Sequence, residues 1–183
     1  PPDATEDELR AAIKPNTKAV FGETIANPAL TVLDIERFAK VREHIGNKVD
    51  LAIDFHGRVS PAMAHRLIEM LKPYTPMFIE EPCLPENVDT MVNIARNTTV
   101  PIAAGERLFG KWQYRELIEK QAVSVIQPDI CHVGGIYEGR KLAAMAAIQT
   151  FNGFCLSCIM QERKYSAHHN VHLAVGNLIK LLG

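Results

Sequence analysis

VDLAIDF (49–55) is a short, apolar run rich in β-branched residues, the kind that forms a strand buried on both faces of a sheet. Three later runs share this character: MFIEEP (77–82), VPIAAGE (100–106) and VSVIQPD (123–129). Patterns of helical period lie between and after these runs, at 60–71, 86–96, 111–120 and 137–148. This alternation predicts parallel βα units, and therefore an α/β fold of the partial TIM-type (β/α) barrel class.

An acidic residue stands at or just past the end of each predicted strand. Asp54, Glu80 and Glu106 are spaced 26 and 26 residues apart, and Asp129 follows 23 residues later. In a parallel βα array the strand ends point to one face, and in a TIM barrel that face carries the active site. We therefore expect these acids to converge in space.

Three carboxylates on one face favour a hard divalent cation, because Mg²⁺ prefers oxygen ligands and keeps positions open for water or substrate. Such an ion would neutralise the enolate that forms when a proton leaves the carbon next to a carboxylate. His56 follows Asp54 by two residues and is a candidate acid for a leaving hydroxyl. The alternative is that these acids are solvated or paired with nearby arginines.

Several motifs resemble the enolase superfamily, its mandelate racemase branch and, most closely, the galactonate dehydratase type. The resemblance covers residues 37–147. The motifs that carry it are DFHGR (54–58), FIEEP (78–82), LPEN (84–87), PIAAGERLF (101–109) and IQPDICHVGGI (126–136).

The resemblance implies a role for each matching residue. Asp54, Glu80 and Glu106 match the three Mg²⁺ ligands of that family. His56 matches the acid that assists loss of the 3-hydroxyl, and Asp129 matches the aspartate that supports a catalytic histidine. The implied reaction removes the proton α to the carboxylate of a sugar acid and then eliminates water, which gives a 2-keto-3-deoxy acid.

The chain departs from the family pattern at the base. The family's base histidine would fall near Leu156, and no histidine stands there. The family's N-terminal capping domain has no counterpart in the sequence, and a complete barrel takes about 250 residues. Open strand edges then predict self-association. The alternative to a dehydratase is an inactive metal-binding or purely structural remnant of a barrel.

The N-terminal part resembles a different family. ELRAAIKPNTKAVFGETIANPALTVLDIERFA (8–39) is similar to pyridoxal-phosphate enzymes of the O-acetylhomoserine sulfhydrylase type, although the cofactor lysine motif is missing. We expect this part to hold a helix, a turn, a short strand at 19–22 and an amphipathic helix that ends at Gly46. The sequence thus divides into segments 1–46, 47–150 and an unassigned end, 151–183. In that end, FNGFCLSCIM (151–160) is expected to form a strand and HLAVGNLIKLLG (172–183) a closing helix. A fused reading frame, an assembly artefact or an engineered chimera would each explain such a composite.

Composition excludes several partners. Twenty basic and 21 acidic residues give a net charge of −1, so nothing favours nucleic acid or an anionic membrane. The expected partner is a small-molecule sugar acid. No apolar run predicts a membrane span and the four cysteines suggest no disulfide framework, so we expect a cytoplasmic protein. The pair Cys155-x-x-Cys158, with histidines downstream, is a weaker candidate for a zinc site.

Overall fold

The computed structural model describes residues 5–23, 34–148, 153–156 and 173–174. The chain forms two compact units, Pro1–Ile102 and Ala103–Gly183. The first unit contains α1 (Glu6–Ala12), β1 (Ala19–Glu23), α2 (Ile35–Ile45), β2 (Asp50–Asp54), α3 (Pro61–Leu71), β3 (Phe78–Glu80), α4 (Val88–Arg96) and the start of β4 (Ile102–Ala104). The second contains the rest of β4, then α5 (Gly110–Glu119), β5 (Val125–Ile126), α6 (Ile130–Val133), α7 (Ile136–Ile148), β6 (Gly153–Leu156) and β7 (Leu173–Ala174).

The strands of the first unit are parallel. β1 pairs with β2 so that Glu23 lies opposite Asp54, and β2 pairs with β3 so that Asp54 lies opposite Glu80. Each of these acids is the last residue of its strand, so the register brings three carboxylates to one end of the sheet. The predicted parallel βα units and the α/β class are confirmed.

Local sequence explains where the helices of this unit begin. The Ser60 side chain accepts a hydrogen bond from the backbone N–H of Met63, and Pro61 occupies the first position of α3. Asn87 caps α4 in the same way, so that helix begins at residue 88 rather than at the predicted 86. Burial of apolar faces then fixes both helices against the sheet, each fully buried side chain stabilising the fold by about 1.5–3 kcal/mol. The buried residues of these faces are Ala64, Ile68, Leu71, Met91, Val92 and Ile94.

The N-terminal segment folds as expected: a helix, a turn, a strand and a second helix that ends before Gly46. Thr5 and Glu8 form a capping box at the start of α1. A buried cluster joins the two helices to β1 and to Val49, the residue just before β2. Its members are Val41, Ile45 and Val49, with Leu9, Ile13 and Val20 packed against them.

In the second unit, β4, β5 and β6 are parallel and β7 is antiparallel to β6. Tyr114 and Leu117 of α5, Ile126 of β5 and Leu142 of α7 are almost completely buried. The strand expected within 151–160 is confirmed as β6. The prediction of a closing helix over 172–183 is wrong for Leu173–Ala174. These two residues form a strand, because pairing with β6 supplies their backbone hydrogen bonds. The other residues of that expected helix lie outside the described residues.

Within the described ranges, no helix combines the length and the apolar character that crossing a membrane requires.

Candidate metal centre

The candidate site of the first unit is built from the ends of its three parallel strands. Asp54 and Glu80 lie opposite each other in register, and only 5% and 3% of their surfaces are exposed. Taking carboxylates out of water costs several kcal/mol each unless positive charge or hydrogen-bond donors compensate. The sequence prediction that these two acids come together at one edge of the sheet is therefore confirmed, and their burial requires such compensation.

His56 is held against this pair by its own neighbour in the chain. Its backbone N–H donates to Asp54 Oδ1 at 2.7 Å, and its ring Nδ1 lies 3.2 Å from Asp54 Oδ2. The histidine adopts a left-handed backbone conformation, with φ at +49°. The N–H of Gly57 donates to the Glu81 carbonyl at 2.8 Å, which ties this turn to the end of β3. These contacts orient the imidazole toward the acids.

Glu23 also belongs to this cluster, although its strand was expected to end one residue earlier and Glu23 was not among the predicted site residues. Its Oε1 lies 3.8 Å from His56 Nδ1, and its side chain is 24% exposed. One ligand atom each from Glu23, Asp54 and His56 can be chosen so that all three lie within 4.8 Å of one another. Glu23 stands at the end of a strand, as the other predicted acids do, and this position in the sequence could have identified it.

In the second unit, Glu106 follows a tightly packed turn. Gly105 has φ at +140°, and a Cβ at this position would lie 3.2 Å from the Gln127 backbone and 3.1 Å from Tyr114. The buried Tyr114 hydroxyl donates to the Gly105 carbonyl at 2.6 Å. Glycine is therefore required immediately before Glu106, and the position of that acid is set by α5 and β5.

Asp129 caps a short helix. Its Oδ1 accepts hydrogen bonds from the backbone N–H groups of Cys131 and His132, at 2.6 and 2.9 Å, and it is 1% exposed. His132 Nδ1 lies 2.7 Å from the Glu106 carbonyl oxygen, so this histidine joins the α6 turn to the residue that follows β4. Leu156, where the family's base histidine was expected, is the last residue of β6. The histidines downstream of Cys158 lie outside the described residues.

Parallel βα units with acids at successive strand ends define a barrel-type α/β protein whose chemistry is expected at those ends. Comparison with known families is consistent with this class. The chain belongs to the enolase C-terminal domain-like family, whose profile matches residues 12–180. The neighbours of known structure are enolase-superfamily TIM-barrel proteins, which confirms the predicted partial barrel.

Individual relatives agree with the family. A D-galactonate dehydratase of Ralstonia pickettii (strain 12J) is 49% identical over 112 residues, which are 61% of this chain and 29% of that protein. An enolase superfamily member from Salmonella Typhimurium superimposes with a TM-score of 0.74 at 28% identity, over 82% of this chain and 42% of its own. An L-talarate dehydratase from Polaromonas sp. JS666, in complex with Mg and L-glucarate, gives 0.70 at 26% identity, over 80% and 39%.

The chain thus spans less than half the length of these relatives. The family match begins at residue 12, so it covers most of the segment that resembles pyridoxal-phosphate enzymes. That second resemblance gains no support from the comparisons. In the structure, β1 of this segment pairs in register with β2, as part of the same parallel sheet.

Proposed function

We propose that this chain is a segment of a Mg²⁺-dependent acid-sugar dehydratase of the galactonate type. The reaction removes the proton α to the substrate carboxylate and eliminates water to give a 2-keto-3-deoxy acid. The observation that carries the proposal is the register of β2 and β3, which sets Asp54 against Glu80 beside a histidine held by Asp54. The 49% identity to a D-galactonate dehydratase supports the choice of substrate class.

Asp54, Glu80 and Glu106 are the proposed Mg²⁺ ligands. The donor set fits, because all three offer hard carboxylate oxygens and two of them are buried side by side in the first unit. When bound, the ion would supply positive charge that stabilises the enolate oxygens as the α-proton leaves. The tight turn at Gly105 serves this role by fixing the backbone from which Glu106 projects.

His56 is the proposed general acid. Its Nδ1 faces the Asp54 carboxylate at 3.2 Å, so Nε2, on the other side of the ring, is the atom that delivers a proton to the departing hydroxyl. The left-handed turn at His56 sets the ring orientation before substrate arrives.

A second candidate is a metal-binding or structural barrel segment without turnover. The observation that favours it is Leu156 at the end of β6, where the proposed reaction needs a base. A leucine side chain cannot accept the α-proton. If the chain belongs to a dehydratase, we propose that Asp129 supports the base. If it is a structural or metal-binding segment, Asp129 serves only to cap α6. For either candidate we propose a cytoplasmic protein that associates with further copies of itself.

The first experiment measures thermal unfolding by circular dichroism with and without millimolar Mg²⁺. An ion that binds only the folded chain stabilises it by about 2.7 kcal/mol at 100 times its Kd. We expect a rise in the midpoint for the wild type and none for Glu80→Gln. Glu69→Gln is the matched control, because Glu69 lies exposed on α3 in a surface pair with Lys72. Equal shifts in all three proteins would refute the proposed ligand set.

The second experiment separates the two candidate functions. D-Galactonate is incubated with the Mg²⁺-loaded chain in D₂O, and NMR follows deuterium incorporation at C2 together with the 2-keto-3-deoxy product. Product that disappears in His56→Gln supports the dehydratase. A Mg²⁺ shift without deuterium exchange or product supports the structural, metal-binding segment.

A further inference from the structure

We propose that Glu23, Asp54 and His56 form a metal site of mixed nitrogen and oxygen ligands, which binds Zn²⁺ or Co²⁺ in preference to Mg²⁺. The proposal does not depend on dehydratase activity. It shares Asp54 with the proposed Mg²⁺ ligand set and His56 with the proposed general acid, so a chain that holds Zn²⁺ here cannot use His56 as that acid at the same time. It uses neither Glu80 nor Glu106.

The distances between the ligand atoms suit a small divalent ion. His56 Nδ1 lies 3.2 Å from Asp54 Oδ2 and 3.8 Å from Glu23 Oε1, and one ligand atom of each residue can be chosen so that all three lie within 4.8 Å of one another. Ligands at the usual bond lengths of about 2.0–2.1 Å around a tetrahedral ion are about 3.3 Å apart. Small side-chain rotations therefore complete the site without a change in the backbone.

The backbone holds these three ligands in place before any ion binds. Glu23 and Asp54 are the last residues of adjacent strands and lie opposite each other in register. The His56 backbone N–H donates to Asp54 Oδ1, which fixes the backbone of the turn, and the ring Nδ1 lies 3.2 Å from Asp54 Oδ2. The three side chains are 24%, 6% and 19% exposed in that order, which leaves access for an ion and a water ligand. Three protein ligands and one open position are typical of catalytic zinc sites.

Charge and donor type favour a borderline transition ion. Two carboxylates this close repel each other, and a divalent ion would neutralise both. Imidazole nitrogen suits zinc, copper, iron and nickel, whereas magnesium prefers an all-oxygen set. The nitrogen of His56 therefore gives this site a selectivity that the acids alone would lack. The competing arrangement has a protonated His56 between the two carboxylates and no ion.

The test titrates the whole chain with Co²⁺ and records its visible d–d absorption, with isothermal calorimetry of Zn²⁺ as a second readout. We expect one bound ion in the wild type. Glu23→Gln should weaken binding at least about tenfold, since even residues that merely support metal ligands cost 10–100-fold. Glu43→Gln, at an exposed position on α2, is the matched control and should bind as the wild type does.

Glu106→Gln separates this proposal from the proposed function. Co²⁺ binding that survives in Glu106→Gln but fails in Glu23→Gln supports the mixed site, whatever the outcome with Mg²⁺ or galactonate. Absence of Co²⁺ bands in the wild type would overturn it and would favour the ion-free, protonated His56. Unchanged bands in Glu23→Gln would also overturn it, and a sulfur-to-cobalt charge-transfer band would then point to the Cys155-x-x-Cys158 pair.

Discussion

Asp54 holds His56 twice, through the backbone N–H at 2.7 Å and through the ring Nδ1 at 3.2 Å, while His56 occupies a left-handed conformation. A residue with a Cβ adopts this conformation at a cost of roughly 1–2 kcal/mol. The two hydrogen bonds offset that cost, and the bond to the ring also orients the imidazole. Position 56 therefore combines backbone strain with the chemistry expected of the site.

Replacing His56 tests how much strain this turn stores. His56→Gly and His56→Ala both lose the ring, but only glycine adopts the left-handed conformation without steric cost. We expect His56→Gly to be more stable than His56→Ala by about 0.5–1 kcal/mol, after the greater unfolded-state entropy of glycine is counted. Urea unfolding of the two variants measures the difference. Equal stabilities would mean that the turn is unstrained.

Gly105→Ala should be one of the more destabilising single changes in the second unit. Its Cβ would lie 3.1–3.2 Å from Tyr114 and from the Gln127 backbone, at φ +140°. We expect a loss of about 2–4 kcal/mol from backbone strain and overpacking together. Gly110→Ala is the control, because its φ is also positive but nothing lies within 4 Å of its Cβ. Thermal unfolding that ranks the two variants equally would contradict the close contact.

The side-chain amide of Gln127 is completely buried, and within the described residues neither its nitrogen nor its oxygen has a hydrogen-bond partner. A buried polar group without partners costs about 1–3 kcal/mol. We therefore expect Gln127→Met, which nearly conserves volume, to raise the free energy of unfolding by about 1 kcal/mol. Urea denaturation checks this, with Gln121→Met at an exposed position just after α5 as the control. A destabilised Gln127→Met would show that the amide makes hydrogen bonds in solution.

Because the thiol of Cys83 is buried, we expect the free energy of unfolding to fall at alkaline pH. Burial, followed by the charges of Glu81 and Glu86, raises the pKa of its thiol from 9.0 to about 11. Between these values the unfolded chain loses the thiol proton and the folded chain keeps it, so this contribution is complete below pH 9 and declines as pH rises. The stability difference between the wild type and Cys83→Ala should shrink across this window in urea titrations. A constant difference would exclude the raised pKa.

Local sequence was sufficient to predict the helices and the acids at strand ends. Ser60 followed by Pro61 marks a helix start by hydrogen-bonding chemistry alone, and α3 begins there. The 26-residue interval between Asp54 and Glu80 likewise corresponds to one βα unit. Their meeting at one edge of the sheet therefore follows from the parallel topology.

Features that depend on non-local pairing could not be predicted in this way. Glu23 joins the candidate site because β1 runs one residue longer than expected and pairs in register with β2, which the composition of the strand does not reveal. The capping role of Asp129 was missed since the four-residue helix α6 is too short to show a helical period. The left-handed turn at His56 combines a local hydrogen bond to Asp54 with a non-local one from Gly57 to the Glu81 carbonyl, and the sequence does not show the second.

Asp54 and Glu80 are the final residues of their strands, and this placement affects how the protein can evolve. The sheet carries the two carboxylates, while the residues that follow β2 and β3 lie outside the strands. Insertions or substitutions in those segments can reshape what the site admits without moving the carboxylates. One arrangement of strand-end carboxylates can therefore be adapted to different ligands through its loops, and laboratory redesign should begin there.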